Sequence, residues 1–370
     1  MKKHNVLLLV LILSLGLILA ACGGAKDEEN TGSEDNGDNA SQNEEASGDY
    51  KVAMVTDEGG VDDKSFNQSA WEGIKAWGEG AGLSKGEGFD YAQSNGTADY
   101  MPNISRFVRD EYNIVFGVGF KLKEDIQTAA GQFPDTNFAI VDDVVDAPNA
   151  TSITFKEHQG SFLVGVAAAN KTKTNKVGFV GGIASPLIEK FESGFIAGVK
   201  SVNPDIEVNV QYAESFTDPA KGKIIAANMY DSGVDVIYHA SGGTGNGVFN
   251  EAKDIKQNDP ERELWVIGVD RDQHEEGQVG DHNITLTSMV KRVDVAVQDV
   301  INQGVNGEFP AGELLEYGIE ENAISIAETN KEAMTEEVIN AVKEWQDKIL
   351  NGEVEVPQTK DELEAYTNSL

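Results

Sequence analysis

The chain is 370 residues long, with 63 acidic against 29 basic side chains and a formal net charge of −34. That balance argues against nucleic-acid binding, which needs basic surface to neutralise phosphates. Its one cysteine, Cys22, allows no intramolecular disulfide, and no thiolate metal cluster or cysteine nucleophile lies further along.

The chain opens "MKKHNVLLLVLILSLGLILAAC". Two lysines, an apolar run of about fifteen residues and then small residues form the pattern of a secretory signal. The run is short for a membrane span, which needs roughly twenty residues. The ending "LAAC" resembles a bacterial lipobox, where a signal peptidase cuts before a cysteine that carries diacylglycerol. Residues 1–21 are therefore expected to be a lipoprotein signal peptide, and Cys22 a lipidation site. Residues 23–49 contain no large apolar side chain. They cannot bury enough surface to offset the entropy of ordering, so 22–49 reads as a lipidated cysteine followed by a solvated acidic tether.

From Tyr50 onward roughly 320 residues remain, enough for two cores of ordinary size. Strand-like runs follow in order: "YKVAMVT", "NIVFGVG", "NFAIVDD", "TSITF", "KVGFVGG", "VNVQYAES", "VDVIYHAS", "ELWVIGVD" and "ITLTSMV". Amphipathic stretches such as "PLIEKFESGFIAGVKSV" and "PAKGKIIAANMYDSG" separate them. This βαβα order predicts parallel sheets with helices on both faces. The series runs twice, once to Phe155 and again from Lys176. The intervening "KEHQGSFLVGVAAANKT" reads as a helix crossing from one lobe to the other. Two open sheets side by side leave a cleft between their carboxyl edges, where small-molecule sites form.

The residues predicted at those edges carry the chemistry. Residues 56–67, "TDEGGVDDKSFN", lie between a strand and a helix that begins at Phe66. A solvated loop accounts for the charges but not for the bare Phe66. "FAIVDD" ends in Asp142 and Asp143, "IYHASGG" in Gly242 and Gly243, and "VIGVDRD" in Asp270 and Asp272. Lys291 follows "LTSMV". Asp143 and Asp272 read equally as helix caps, and Asp218 before Pro219 reads as an N-cap. Phe216 reads as either core or cleft. Phe191 and Phe195, four residues apart on a helix, fit core packing. Asp62, Asp63 and Lys64 read as solvated or as holding the loop.

Other chemistries find little support. "GGTGNG" lacks the GxGxxG spacing and the Walker lysine, and carboxylates near a cleft repel phosphate. The five histidines show no metal-ligand spacing, and no GxSxG elbow occurs. Aromatic rings with carboxylates and a lysine suit a neutral ligand with a flat heterocycle and a diol. Rings stack on the base, and carboxylates accept from N–H groups or paired hydroxyls.

The segments "VAMVTDEGGVDDKSFNQSAWEGI", "GSFLVGVAAA", "YDSGVDVIYHASGGTGNGV", "WVIGVDRDQ" and "LTSMVKR" closely resemble the basic membrane protein family of bacterial lipoproteins, most closely its purine-nucleoside-binding members. The likeness covers nearly all of residues 50–357. It implies an α/β, type I periplasmic-binding-protein fold: two Rossmann-like lobes with a ligand cleft between them. The first lobe would hold 50–157 and roughly 288–316, the second 158–287 and roughly 317–357, with 358–370 a C-terminal tail. It also implies a monomeric, extracytoplasmic receptor on the cell membrane, without catalysis, cofactor or metal, that delivers a purine nucleoside to an ABC permease and its ATPase. By motif, Phe66 and Phe216 would stack on the base and Asn67 and Asp142 would meet its edge. Asp57, Asp270 and Lys291 would hold the ribose, with the Gly242 backbone close by. "KEHQGSF" departs from the Asn-Glu-Gly run of other members, which bears on the hinge. Rival readings are a sugar or signalling-ligand receptor of the same fold and an exported nucleoside hydrolase. The hydrolase is disfavoured by the lack of carboxylate clusters that would bind a metal.

Cys22→Ser is expected to abolish diacylation and release most of the protein from membranes, since two acyl chains on one glyceride anchor stably. Fractionation with lipid labelling checks this. A mutant that stays labelled and sediments with membranes would overturn the lipobox reading.

Overall fold

The computed structural model describes residues 49–370. The expected signal peptide, Cys22 and nearly all of the expected tether lie outside the described residues. The first sheet contains β1 (Val52–Thr56), β2 (Phe89–Ala92), β3 (Ile114–Val118), β4 (Asn137–Val141) and β5 (Ala150–Phe155), all parallel, in the order β5-β4-β3-β1-β2. The second contains β6 (Lys176–Gly181), β7 (Glu207–Tyr212), β8 (Val236–Ala240) and β9 (Trp265–Asp270). A small hairpin, β10 (Gln278–Val279) with β11 (His282–Asn283), leads into β12 (Thr285–Lys291). The order β12-β9-β8-β6-β7 repeats that of the first sheet. Each sheet gains a sixth strand late in the chain. β13 (Leu314–Tyr317) adds parallel to β5, and β14 (Ile324–Ile326) adds antiparallel to β12.

The strands read as continuous apolar runs because helices cover both faces of a parallel sheet. In chain order these are α1 (Phe66–Gly80), α2 (Tyr100–Arg109), α3 (Lys123–Gln132), α4 (Glu157–Lys171), α5 (Pro186–Val202), α6 (Pro219–Asp231), α7 (Gly245–Asn258), α8 (Val293–Val305), α9 (Glu336–Leu350) and α10 (Lys360–Thr367). Asp218 accepts a hydrogen bond from Lys221 N, and Pro219 opens α6, the N-cap arrangement its sequence spells.

The chain crosses between lobes three times. Lys156 links β5 to α4, which packs on α5 of the second lobe. Arg292 links β12 to α8, which packs back on α1 of the first. Residues 318–323 then carry the chain from β13 to β14. The second crossing follows Lys291 rather than falling near 288, because Met289 and Val290 still pair with β9 and β14. Residues 358–370 are not a bare tail. Thr359 and Glu362 form a capping box that starts α10. The helix lies on α5, with Lys360 N donating to Glu189 (2.7 Å) and Tyr366 and Ser201 joined through their hydroxyls (2.8 Å).

α4 and α5 approach closely because α5 has no side chains where they touch. A Cβ on Gly198 would lie 2.0 Å from the Phe162 carbonyl oxygen, and one on Gly194 2.2 Å from that of His158. Gly198→Ala must push the helices apart and is expected to cost about 1–3 kcal/mol, the range for overpacking. Urea denaturation measures this; an unchanged midpoint would mean the helices separate freely.

Candidate functional site

The carboxyl edges of the two sheets flank a small cavity of about 60 Å³. The first lobe contributes Asp57 after β1, Phe66 and Asn67 at the start of α1, and Asp142 after β4. The second contributes Phe216 after β7, Gly242 after β8, Asp270 at the end of β9 and Lys291 at the end of β12. All eight site residues expected from sequence thus line one space. Asp143 and Asp272 turn away from it: Asp143 pairs with Lys123 at 2.9 Å, and Asp272 accepts from His274 N at 3.1 Å.

Asp142 and Asp270 sit at equivalent strand ends in the two sheets, and both backbones are left-handed, at φ 71° and 66°. That conformation is costly for a residue with a side chain, and such residues cluster at ligand sites.

The loop before α1 is built on Asp63. Its carboxylate accepts from the backbone N–H of Ser65 (2.9 Å), Asn67 (2.9 Å) and Gln68 (3.1 Å), which caps the helix. Burial nevertheless pushes the Asp63 carboxyl up to about 6, against the pull of those hydrogen bonds. The Asn67 side-chain N–H groups are taken by Asp57 (3.1 Å) and Asp63 (3.2 Å). The same loop reaches the other lobe. Asn246 donates to the Asp63 carbonyl (3.2 Å), Gln273 donates to the Lys64 carbonyl (3.0 Å), and the Ser65 hydroxyl donates to Asp270. Asp63 and Lys64 therefore hold both the loop and the lobe contact, while Asp62 is exposed.

Lys291 is 1% exposed. Its ammonium lies 2.6 and 2.7 Å from the two Asp142 oxygens and 3.3 Å from Glu157 Oε1. The side chain passes between rings, with Phe155 and Phe66 centroids 4.9 and 5.0 Å from Nζ. Asp270 is not its direct partner; Ser65 takes that carboxylate instead. Burial alone would lower the Lys291 pKa, but Asp142, Glu157 and Asp270 outweigh it and hold the ammonium above the ordinary lysine value. Burial raises Asp142, Asp270 and Asp57 above the usual carboxylate range, with Lys291 opposing this at Asp142 and Asp270.

Phe216 lines the cleft rather than the core. Its ring lies over Gly182, where a Cβ would come within 2.1 Å, and meets Phe120 edge-on with centroids 6.3 Å apart. Phe191, expected in the core, also faces the cavity, whereas Phe195 one turn further along α5 is fully buried. Phe120 was missed. Its signal was present: "FGVGF" ends a strand in a glycine turn, as "HASGG" does, and Gly119 and Gly242 both have positive φ. Glu157 was read only as part of the crossing helix.

The family profile described as "ABC transporter substrate-binding protein PnrA-like" matches residues 50–360. The chain belongs to that family. This PnrA-like chain is 48% identical to the "CD4+ T-cell-stimulating antigen" of Listeria innocua over 97% of its own length and 99% of the relative's. It is 45% identical to the "ABC transporter nucleoside-binding protein BmpA" of Lactococcus lactis subsp. cremoris, over 84% of this chain and 89% of that one. A solute-binding protein of an ABC transporter system from Aeropyrum pernix K1 superposes with a TM-score of 0.73 at 25% identity, over 86% and 98% of the two chains. The PnrA-like chain is thus the solute-binding component of an ABC transporter and not an enzyme, on a two-lobed periplasmic-binding-protein fold.

Lys291→Met strands buried carboxylates and is expected to cost about 3–5 kcal/mol. Without the ammonium, the already raised Asp142 pKa rises further. The folded state then binds more protons than the unfolded state above the ordinary carboxylate range, so the variant loses stability as pH rises. Denaturant titrations at pH 5 and pH 7.5 test the sign; equal stability at both would mean that water reaches the carboxylates.

Proposed function

We propose that the cavity takes a purine nucleoside, guanosine or inosine ahead of adenosine, and that the protein delivers it to its permease from a lipid anchor at Cys22 on the outer face of the cell membrane. The observation that carries this reading is the arrangement of rings and acids. Phe66 and Phe216 come from opposite lobes, and carboxylates from both lobes line the same space. A flat base between rings gains stacking and burial. The Lactococcus lactis relative, named as nucleoside-binding, supports the same ligand class.

The base edge falls to Asn67 and Asp142. Asp142 is buried against the Lys291 ammonium, and an ionised carboxylate, with several lone pairs, only accepts. Guanosine offers N1–H and N2 amino donors on one edge, and inosine offers N1–H. Adenosine presents an N1 lone pair there, with only its N6 amino group to donate. The ribose hydroxyls fall to Asp57, Asp270 and Lys291, beside the Gly242 backbone. A nucleotide would bring phosphate to a cleft lined by Asp57, Asp142 and Asp270, which repel it.

Calorimetry of residues 50–370 with a panel of ligands tests each step. Guanosine and inosine are expected to bind tightest, then adenosine, then cytidine, whose smaller ring stacks less. 2′-Deoxyguanosine is expected to lose roughly 1–3 kcal/mol, the cost of leaving a buried polar group unpaired, and guanosine monophosphate to bind worst. Tight binding of the monophosphate would overturn the electrostatic argument, and equal affinity for adenosine would remove Asp142 from the base edge.

A further inference from the structure

Glu157 is 0% exposed and does not line the cavity. It is the first residue of α4, directly after the first crossing between lobes. One carboxylate oxygen, Oε2, lies 3.2 Å from Lys190 Nζ on α5, which also donates to the Phe155 carbonyl (3.2 Å). The other, Oε1, forms a longer ion pair with the Lys291 ammonium, at 3.3 Å. Lys291 holds the two Asp142 oxygens more closely, at 2.6 and 2.7 Å. The Glu157 contact is thus the looser of the two carboxylate contacts to this buried ammonium, with room to tighten.

We propose that Glu157 is a positioning residue, a standby counter-ion that takes over the Lys291 ammonium when a ligand claims Asp142. The proposal rests on the nucleoside reading above, in which donors on the base edge bond to Asp142. Asp142 belongs to the first lobe, whereas Lys291 and Glu157 both belong to the second. A ligand that draws the Asp142 carboxylate toward its N–H groups weakens its hold on Lys291. An ammonium this buried cannot turn to water for a replacement. Asp270 is engaged by Ser65, and Lys190 adds only positive charge, so Glu157 Oε1 is the acceptor within reach. A shift of a few tenths of an ångström brings it to bonding distance. The exchange keeps Lys291 charged and fixed, so that its remaining N–H groups face the cavity.

The test separates this role from simple support of the fold. Guanosine has donors for Asp142, whereas purine riboside has the same ring system and sugar with no donor on that edge. Titration calorimetry with both ligands is run on the wild type and on Glu157→Gln, which keeps the shape and removes the charge. The wild type is expected to bind guanosine. In Glu157→Gln guanosine affinity is expected to fall about tenfold or more, while purine riboside affinity stays within about twofold of wild type. A matching fall for both ligands would make Glu157 structural and overturn the proposal; so would no fall for either. If the wild type binds neither ligand, the nucleoside reading fails and the proposal with it. Should Glu157→Gln not fold, Glu157→Asp keeps the charge but withdraws it by one methylene. The same selective loss of guanosine supports the proposal there, and an unaltered ratio of the two affinities overturns it.

Discussion

A buried ammonium organises the space between the two sheets. Lys291 leaves β12 of the second sheet and ends at Asp142, beyond β4 of the first, with almost no exposure to water. An ion stripped of water needs partners fixed in place, and an unpaired one costs several kcal/mol. The two lobes therefore each hold part of a charge arrangement that is complete only when they meet. The rings of Phe66 and Phe155 close over the ammonium and exclude the solvent that would otherwise screen it. Cation and rings stabilise one another in a space whose walls belong to different parts of the chain.

The repetition of strand order explains why the site can be shared in this way. Matching strands of the two sheets end at matching places, and an aspartate with left-handed backbone stands just beyond β4 and at the end of β9. The two aspartates have different surroundings. Asp142 meets a lysine from across the cleft, and Asp270 meets the hydroxyl of Ser65. One fold repeated twice thus yields a cavity whose two ends differ in charge, as an asymmetric solute requires.

The direct bonds between the lobes are numerous and individually modest. Asn246, Gln273 and Ser65 each add one hydrogen bond, and Arg271 pairs with Glu72 at 3.0 Å on a part-exposed surface. Hydrogen bonds of this kind contribute about 0.5–1.5 kcal/mol each, and exposed ion pairs less. A solute-binding protein needs that balance. Contacts between the lobes must be good enough to form once the cleft is filled, and weak enough that the solute decides the population.

Much of this was legible in the sequence because the signals are local. Alternating strands and helices announce parallel sheets, the Asp218-Pro219 pair announces a helix start, and charged or glycine-rich strand ends mark the carboxyl edges. Those edges include the eight residues singled out from the sequence, which lie among those lining the cavity. What could not be read are contacts made across long sequence separations. Phe191 and Phe195 carry the same local pattern, and only where α5 stands beside the cleft separates a wall residue from a core one. Lys291 could be assigned to the cleft, but whether it would meet Asp270 on the neighbouring strand or Asp142 in the other lobe depends on how close the two sheets stand. Glu157 looked like any acidic residue at a helix start. Its burial between two lysines follows from the return of β12 beside α4, more than a hundred residues later. The sequence by itself determined which elements form and which residues reach the strand ends, since backbone geometry and apolar periodicity act over a few residues. The tertiary structure decided who pairs with whom, since pairing between buried charges depends on distances that no local rule contains.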